Sequence, residues 1–297
     1  MHENSKPLFR WAGGKSRLLK FYEQSEILPI DVDTYVEPFF GGGAMFLYVV
    51  GKYNPQRIFI NDINPGIISI YQSIKTDVSR FVHHVSVLES QYLPYSKEDR
   101  KKFYYEVRHD HAYKYQQWSP TQESATLFFL MKTGFNGIWQ INQNTNNRYG
   151  TPSGLLNETT EVFDRGVVDF WHNALQVATI TCGDWSNTAN VQGDHVFWFF
   201  DPPYRGSITS YGQVFGDDDQ KNLLEFAKTV PSDSRVLLCN DDVGDAFFED
   251  NLGDLGILYR DVKHTAGRRK QTDEGFEAKS AREIVIHNAP SDKFFTW

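Results

Sequence analysis

The sequence predicts an α/β fold interrupted by a mostly helical module, and three observations carry that expectation. Short apolar segments of strand character end in acids and alternate with helical patterns near the start of the 297-residue chain. From about residue 76 to 165 that alternation gives way to helical patterns and a stretch dense in Asn, Gly and Pro. The last part returns to β–α alternation.

In residues 1–75 a basic, glycine-bearing opening, RWAGGKS (10–16), precedes the strand candidate TYVEPF (34–39), a glycine run and a second strand, RIFIND (57–62). Strand, loop, helix, strand is the expected order. In the central part VSRFVHHVSVLESQY (78–92) and ATLFFLMKTGF (125–135) read as helices, separated by the charged stretch KEDRKKFYYEVRHDHAYKYQQW (97–118). INQNTNNRYGTPSG (141–154) must be loop or hairpin. Residues 166–297 supply VATITCGD (177–184), HVFWFFDPP (195–203), DDQKNLLEFAKTV (218–230), SRVLLCND (234–241) and REIVIHN (282–288). There are no convincing repeats and no low-complexity tail.

Composition narrows the function classes. With 40% hydrophobic residues the chain can bury a sizeable core, and a net charge of −8 means that any nucleic-acid partner must be held by a local basic patch. Two cysteines, Cys182 and Cys239, argue against a disulfide scaffold and fit a reducing compartment. The opening MHENSKPLFRWAGGK has no apolar signal region, and no stretch approaches a membrane span. The expectation is a soluble, intracellular protein.

Four strand-like segments end in acids, Glu37, Asp62, Asp184 and Asp201. One such acid is usually a turn former or an N-cap; four on one carboxyl edge suit a ligand, because open α/β sheets bind there. VEPFFGGGAMF (36–46) adds glycines at a strand-to-helix turn, where backbone can approach a ligand closely. Asp62 follows about 20 residues on, where an acid binds ribose hydroxyls in nucleoside folds. The glycine spacing is not GxGxxG, so a nicotinamide cofactor is disfavoured while an adenosine-containing ligand stays open. RWAGGKS resembles the end of a phosphate-binding loop, but the glycine that loop requires is Phe9. In VFWFFDPPY two prolines fix φ and remove N–H donors after Asp201, a stiff elbow that aims groups rather than continuing a strand. The nine histidines lack partners at metal spacing, neither cysteine lies in CxxC, and GxSxG is absent, so no metal is expected.

Taken in order, RWAGGK, YVEPFFGGGAMF, NDIN, FNGIWQIN and DPPY, with AREIVIHN near the end, resemble the Dam-type (alpha-group) DNA adenine methyltransferases. The likeness spans nearly the whole chain. It implies a Rossmann-like S-adenosylmethionine-dependent methyltransferase sheet built from residues 1–75 and 166–297, with 76–165 as an inserted, mostly helical target-recognition module. It implies methyl transfer from S-adenosylmethionine, leaving S-adenosylhomocysteine, to the exocyclic amine of a flipped adenine in double-stranded DNA. Asp201 and the Pro202 carbonyl would accept the amine hydrogens and Tyr204 would stack on the base. Trp11, Lys15, Glu37, Phe40, Gly41, Gly43, Asp62, Asp184 and Asp201 would contact the cofactor. The family also brings room for a cognate restriction endonuclease and a prokaryotic or virus-encoded setting in the cytoplasm.

The central loop departs from the family pattern, with Gln140 where Arg is common, and does not imply a GATC target. Asn and Gln pair bidentately with adenine, so Asn136, Gln140, Asn142, Asn144, Asn146, Asn147 and Arg148 are candidate DNA contacts, against an ordinary polar hairpin. In KHTAGRRK (263–270), Arg268, Arg269 and Lys270 are expected to meet phosphates, making binding salt-dependent. The rivals are an amino-methyltransferase acting on RNA or protein glutamine, which carries NPPY, a silent DNA-binding module, and a nucleotide-dependent oxidoreductase.

Overall fold

The computed structural model describes residues 5–11, 13–15, 18–154, 160–206, 215–263, 270–272, 275–277 and 280–290. Along the chain run α1 (Leu19–Gln24), β1 (Thr34–Glu37), α2 (Ala44–Tyr53), β2 (Arg57–Asp62), α3 (Pro65–Thr76), α4 (Val78–Tyr92), α5 (Lys97–Tyr113) and α6 (Pro120–Thr133). Then come β3 (Ile141–Asn142), β4 (Arg148–Tyr149), α7 (Arg165–Ala174), β5 (Ala178–Cys182), β6 (Val196–Phe200), α8 (Asp217–Thr229) and β7 (Arg235–Asp241). β8 (Gly256–Lys263), β9 (Lys270–Thr272), β10 (Gly275–Glu277) and β11 (Ser280–His287) complete it.

The central sheet has the order β5-β2-β1-β6-β7-β11-β8. β5, β2, β1, β6 and β7 pair in parallel, and β11 runs antiparallel to both β7 and β8. Such a sheet is covered on both faces, so its strands read as unbroken apolar runs. VFWFF of β6 is buried at every position. Alternate residues serve opposite cores: Phe197 and Phe199 face Tyr35, Leu237 and Val285, while Trp198 and Phe200 face Leu223, Leu224 and Val236.

The first core continues into the helical stretch rather than stopping at it. Phe128 of α6 lies 5.4 Å from Phe81 of α4 and 6.4 Å from Phe9, and Phe9 lies 5.9 Å from Tyr71 of α3, ring to ring. Helix starts follow local chemistry. Asn64 accepts from Gly66 N ahead of Pro65, Ser119 caps α6 ahead of Pro120, and Asp164 caps α7.

The charged stretch 97–118 forms α5, a helix of 17 residues that sequence patterning left unassigned. Ser96 accepts from Asp99 N at 3.2 Å, and Glu98 and Asp99 sit in the first turn. Its buried stripe is narrow, Tyr104, Val107, His111 and Ala112, among many charges. β8 was likewise not anticipated. The stretch 141–154 is a hairpin, in which Ile141 pairs with Tyr149 and Asn142 with Arg148. Among the described residues no helix is long and apolar enough to cross a membrane.

Candidate active site

The carboxyl ends of the parallel strands gather acids at one edge. Glu37 closes β1, Asp62 closes β2, Asp201 follows β6 and Asp241 closes β7. The antiparallel β11 adds Glu283, whose register partners are Asp241 and Arg260. Sequence patterning missed Glu283, because it stands near the start of a strand and reaches this edge only when β11 runs backwards. Glu37, Asp62 and Glu283 are buried. Burial lifts Glu37 well above the carboxylate range, against the Tyr35 hydroxyl, which donates to it at 2.8 Å, and with Asp201 and Asp62 adding like charge. Burial also lifts Asp62, opposed by the amides of Asn64 and Gly41, which donate to its two oxygens at 2.9 and 2.8 Å.

Gly41 and Gly43 carry φ of 47° and 64°, the left-handed region that favours glycine. The turn lies directly under Trp11: a Cβ on Gly41 would meet the indole at 2.5 Å, and one on Gly42 the Trp11 Cβ at 2.8 Å. Phe40, by contrast, gives its ring to the core, 4.7 Å from Tyr71 and 5.5 Å from Phe46. Its carbonyl accepts from Gly43 N at 2.9 Å, and its ring backs Gly43 from the core side, where a Cβ would meet it at 2.9 Å.

The elbow Asp201–Tyr204 is joined to the same segment by Lys15, whose Nζ lies 2.8 Å from Asp201 Oδ2. The side chains are 5% and 22% exposed, so the pair is shielded yet Asp201 still opens outward. Burial pushes the Asp201 carboxyl up, against the Lys15 ammonium and the Tyr204 hydroxyl. Burial draws Lys15 down, but Asp201 leads the negative groups that outweigh it, and its net shift is upward. Lys15 also donates to Gly13 O at 2.7 Å and sits 5.0 Å over the Tyr204 ring. Arg10, Gly13 and Gly14 are exposed, while Trp11 reaches the glycine turn and Lys15 the elbow, a use that a merely solvated turn would not have.

Asn61, fully buried one residue before Asp62, ties this edge together. Its Nδ2 donates to Pro38 O at 3.1 Å and Gly183 O at 2.9 Å, and its Oδ1 accepts from Thr181 Oγ1 at 2.8 Å. One amide thus sets the spacing of the loops after β1 and β5. Asp184, in the second of these loops, is exposed and accepts from Ser186 N at 2.9 Å, the N-cap role that a lone strand-end acid ordinarily plays.

The hairpin stands beside this edge. Trp139 lies 6.1 Å from Trp11, and Gly137 packs against Arg10. Asn136, Gln140, Asn144, Asn146 and Asn147 are exposed, while Asn142 is half-buried and accepts from Asn144 N at 2.8 Å to shape the tip. Arg148 is half-buried and turned inward: it pairs with Glu123, lies 3.6 Å over the Tyr115 ring and reaches His111 Nε2 at 3.4 Å. α5 is the platform, since Tyr104 and Arg108 donate to Thr151 O at 2.8 and 3.0 Å, and Tyr113 donates to Asn144 O at 2.9 Å. Arg268, Arg269 and the side chain of Lys270 lie outside the described residues. Among the described residues no three or more His, Cys, Asp or Glu gather as a metal site.

The type II methyltransferase M.MjaIII of Methanocaldococcus jannaschii is 30% identical over 95% of this chain and 99% of its own length. The type II methyltransferase M.CviBI of Paramecium bursaria Chlorella virus NC1A is 28% identical over 76% of this chain and 79% of its own. A DNA adenine methylase of Haemophilus influenzae is 26% identical over 80% of each chain. The family model described as D12 class N6 adenine-specific DNA methyltransferase matches residues 11–265, from the tryptophan over the glycine turn to beyond the end of β8. The chain belongs to the D12 class of N6 adenine-specific DNA methyltransferases.

Proposed function

We propose that this chain transfers a methyl group from S-adenosylmethionine to the exocyclic amine of adenine in double-stranded DNA, at the elbow Asp201–Tyr204. The observation that carries the reading is that Trp11 lies on the glycine turn while Lys15 pairs with Asp201. The edge fits S-adenosylmethionine in kind. Gly41 and Gly42 let the Trp11 ring settle on the turn, Trp11 offers a flat apolar face, and the acids Glu37 and Asp62 suit ribose hydroxyls. Asp184 stands at the margin of this set. S-Adenosylmethionine, when bound, supplies an activated methyl group.

The protein's part is positioning. An adenine amine is a poor nucleophile because its lone pair is delocalised into the ring. Asp201 and the Pro202 carbonyl accept its two hydrogens and return lone-pair character to the nitrogen, while Tyr204 offers its ring to a base turned out of the duplex. Lys15 favours the ionised form of Asp201 against burial, as a carboxylate acceptor requires. The prolines stiffen the backbone between the carboxylate and the carbonyl, so rate comes from orientation and preorganised hydrogen bonds.

Asn136, Gln140, Asn146 and Asn147 on the hairpin read base edges, with Asn142 shaping the tip and Arg148 bracing it. Arg268, Arg269 and Lys270 meet phosphates, and a companion restriction endonuclease would read the same motif. The test is chemical: purified protein is incubated with methyl-labelled S-adenosylmethionine and unmethylated genomic DNA, and the nucleosides are resolved by mass spectrometry. Labelled N6-methyldeoxyadenosine is expected. Label in N4-methyldeoxycytidine, or none in DNA while the protein binds S-adenosylmethionine, would overturn the reading.

A further inference from the structure

The elbow is gripped from the opposite face of the sheet by two fully buried amides, Gln220 in the first turn of α8 and Asn240 near the end of β7. Gln220 Nε2 donates to the Pro203 carbonyl at 2.9 Å, and Gln220 Oε1 accepts from Asn240 Nδ2 at 3.0 Å. Asn240 Oδ1 in turn accepts from the backbone amides of Arg205 at 2.9 Å and Asp241 at 3.0 Å. The carbonyl before Tyr204 and the amide after it are thereby held by one pair of side chains. Beyond them the Arg205 guanidinium anchors the departing chain on Asp217 and Asp245, each at 2.8 Å, and lies 3.8 Å over Phe247.

The prolines alone do not aim Tyr204. Proline fixes its own φ but leaves ψ to the surroundings, and it places no restraint on the backbone of the residue that follows. The last part of the elbow therefore needs an external hold. Nothing in the core calls for amides here, since the buried face of α8 otherwise consists of apolar Leu223, Leu224 and Ala227. Buried amides are tolerated only when bonded, and all four polar atoms of this pair have partners.

We propose that Gln220 and Asn240 are positioning residues for methyl transfer, setting the backbone on both sides of Tyr204 and with it the aim of the Tyr204 ring. They touch neither substrate nor cofactor. The inference rests on the elbow being the reaction centre.

The test compares the full-length parent with Gln220→Leu and Gln220→Glu. Leucine approximates the volume and removes the amide. Incorporation of labelled methyl groups into unmethylated genomic DNA gives kcat, calorimetry gives affinity for S-adenosylmethionine, and thermal melting gives the folded fraction at the assay temperature. For Gln220→Leu a loss of kcat of about 100-fold is expected, the scale of a small misplacement of reacting groups, with affinity for S-adenosylmethionine unchanged and the protein folded. Gln220→Glu separates positioning from mere packing. When protonated, its carboxyl still donates to Pro203 O and accepts from Asn240; when ionised, it aims a charge at that carbonyl. Burial raises the pKa of such an acid, so its rate relative to the parent falls as pH rises. A rate loss that tracks the unfolded fraction, an equal loss of affinity for S-adenosylmethionine, or a Gln220→Glu ratio independent of pH would overturn the inference. A parent that binds S-adenosylmethionine yet methylates no DNA would overturn the reaction itself, and this inference with it.

Discussion

Lys15 is buried beside an acid whose burial works against ionisation, so removing its charge has a predictable sign. In Lys15→Met the Asp201 carboxyl loses the charge that pulls it down, and its pKa rises further. The acidic limb of the pH–rate profile should then move to higher pH, with activity depressed at neutrality and partly recovered as pH rises; an unmoved limb would contradict the pairing. Asn61→Asp makes a separate prediction. It keeps the shape but replaces the amino group that donates to Pro38 O and Gly183 O. With both donated bonds lost, KM for S-adenosylmethionine should rise by about tenfold to a hundredfold, while kcat at saturation is spared. These residues differ in how well sequence exposed them. Asp201 and the glycines declare themselves by an acid or a φ-permissive run at a strand end. Asn61, Gln220 and Asn240 do not, because the value of a buried amide lies in partners that only the fold assembles. Phe40 and Asp184 show the converse: each stands at the expected edge, yet the core takes the ring of one and a helix start takes a carboxylate oxygen of the other.

At the scale of elements, α5 and the hairpin work as a unit, with Arg148 turned into it rather than toward solvent. If Arg148 braces the hairpin, Glu123→Gln should reproduce the effect of Arg148→Ala on DNA binding, although Glu123 lies on α6. Each change should destabilise the fold by about 1–2 kcal/mol, the range for a partly shielded charge-assisted bond. A DNA-binding defect confined to Arg148→Ala would instead make it a base or phosphate contact. His111 sits against Arg148, and burial, with that guanidinium, holds its pKa at about 3. Burial and Arg235 hold His287 at about 4. Both values lie below that of an unfolded histidine, so the unfolded chain binds these protons first. Their contribution is complete above about pH 6.5 and is lost as pH falls toward the folded values. His111→Gln should flatten part of that acid-side loss in melts recorded across pH. α5 stayed illegible in the sequence because four buried positions are scattered among charges, and periodicity is read from apolar residues. The strands β1, β2, β6 and β7 were legible because burial on both faces gives each an apolar run before the polar residues at its end.

Across the whole molecule, the sheet order places acids from parallel strands and from the reversed β11 along one edge, while the formal charge is −8. A polyanionic partner must then be held by local cations, and its affinity should fall steeply with salt. Arg268→Ala and Arg269→Ala should weaken binding to all sequences alike and shallow the salt slope by about one each; altered sequence preference would mean that they read bases. The overall architecture was legible from alternation of strand and helix patterns. The sharing of one core by α3, α4 and α6 was not, because neighbouring helices declare their apolar faces but not which partner each face meets. Adenine methylation at the Asp201 elbow stands at the centre of these effects. Its most direct test is methylome sequencing of DNA from cells expressing this chain, beside cells expressing Asp201→Ala. N6-methyladenine in one recurrent short motif, absent from the Asp201→Ala sample, is the predicted result. The same motif methylated in both samples, or no modified adenine from a folded protein that binds S-adenosylmethionine, would contradict it.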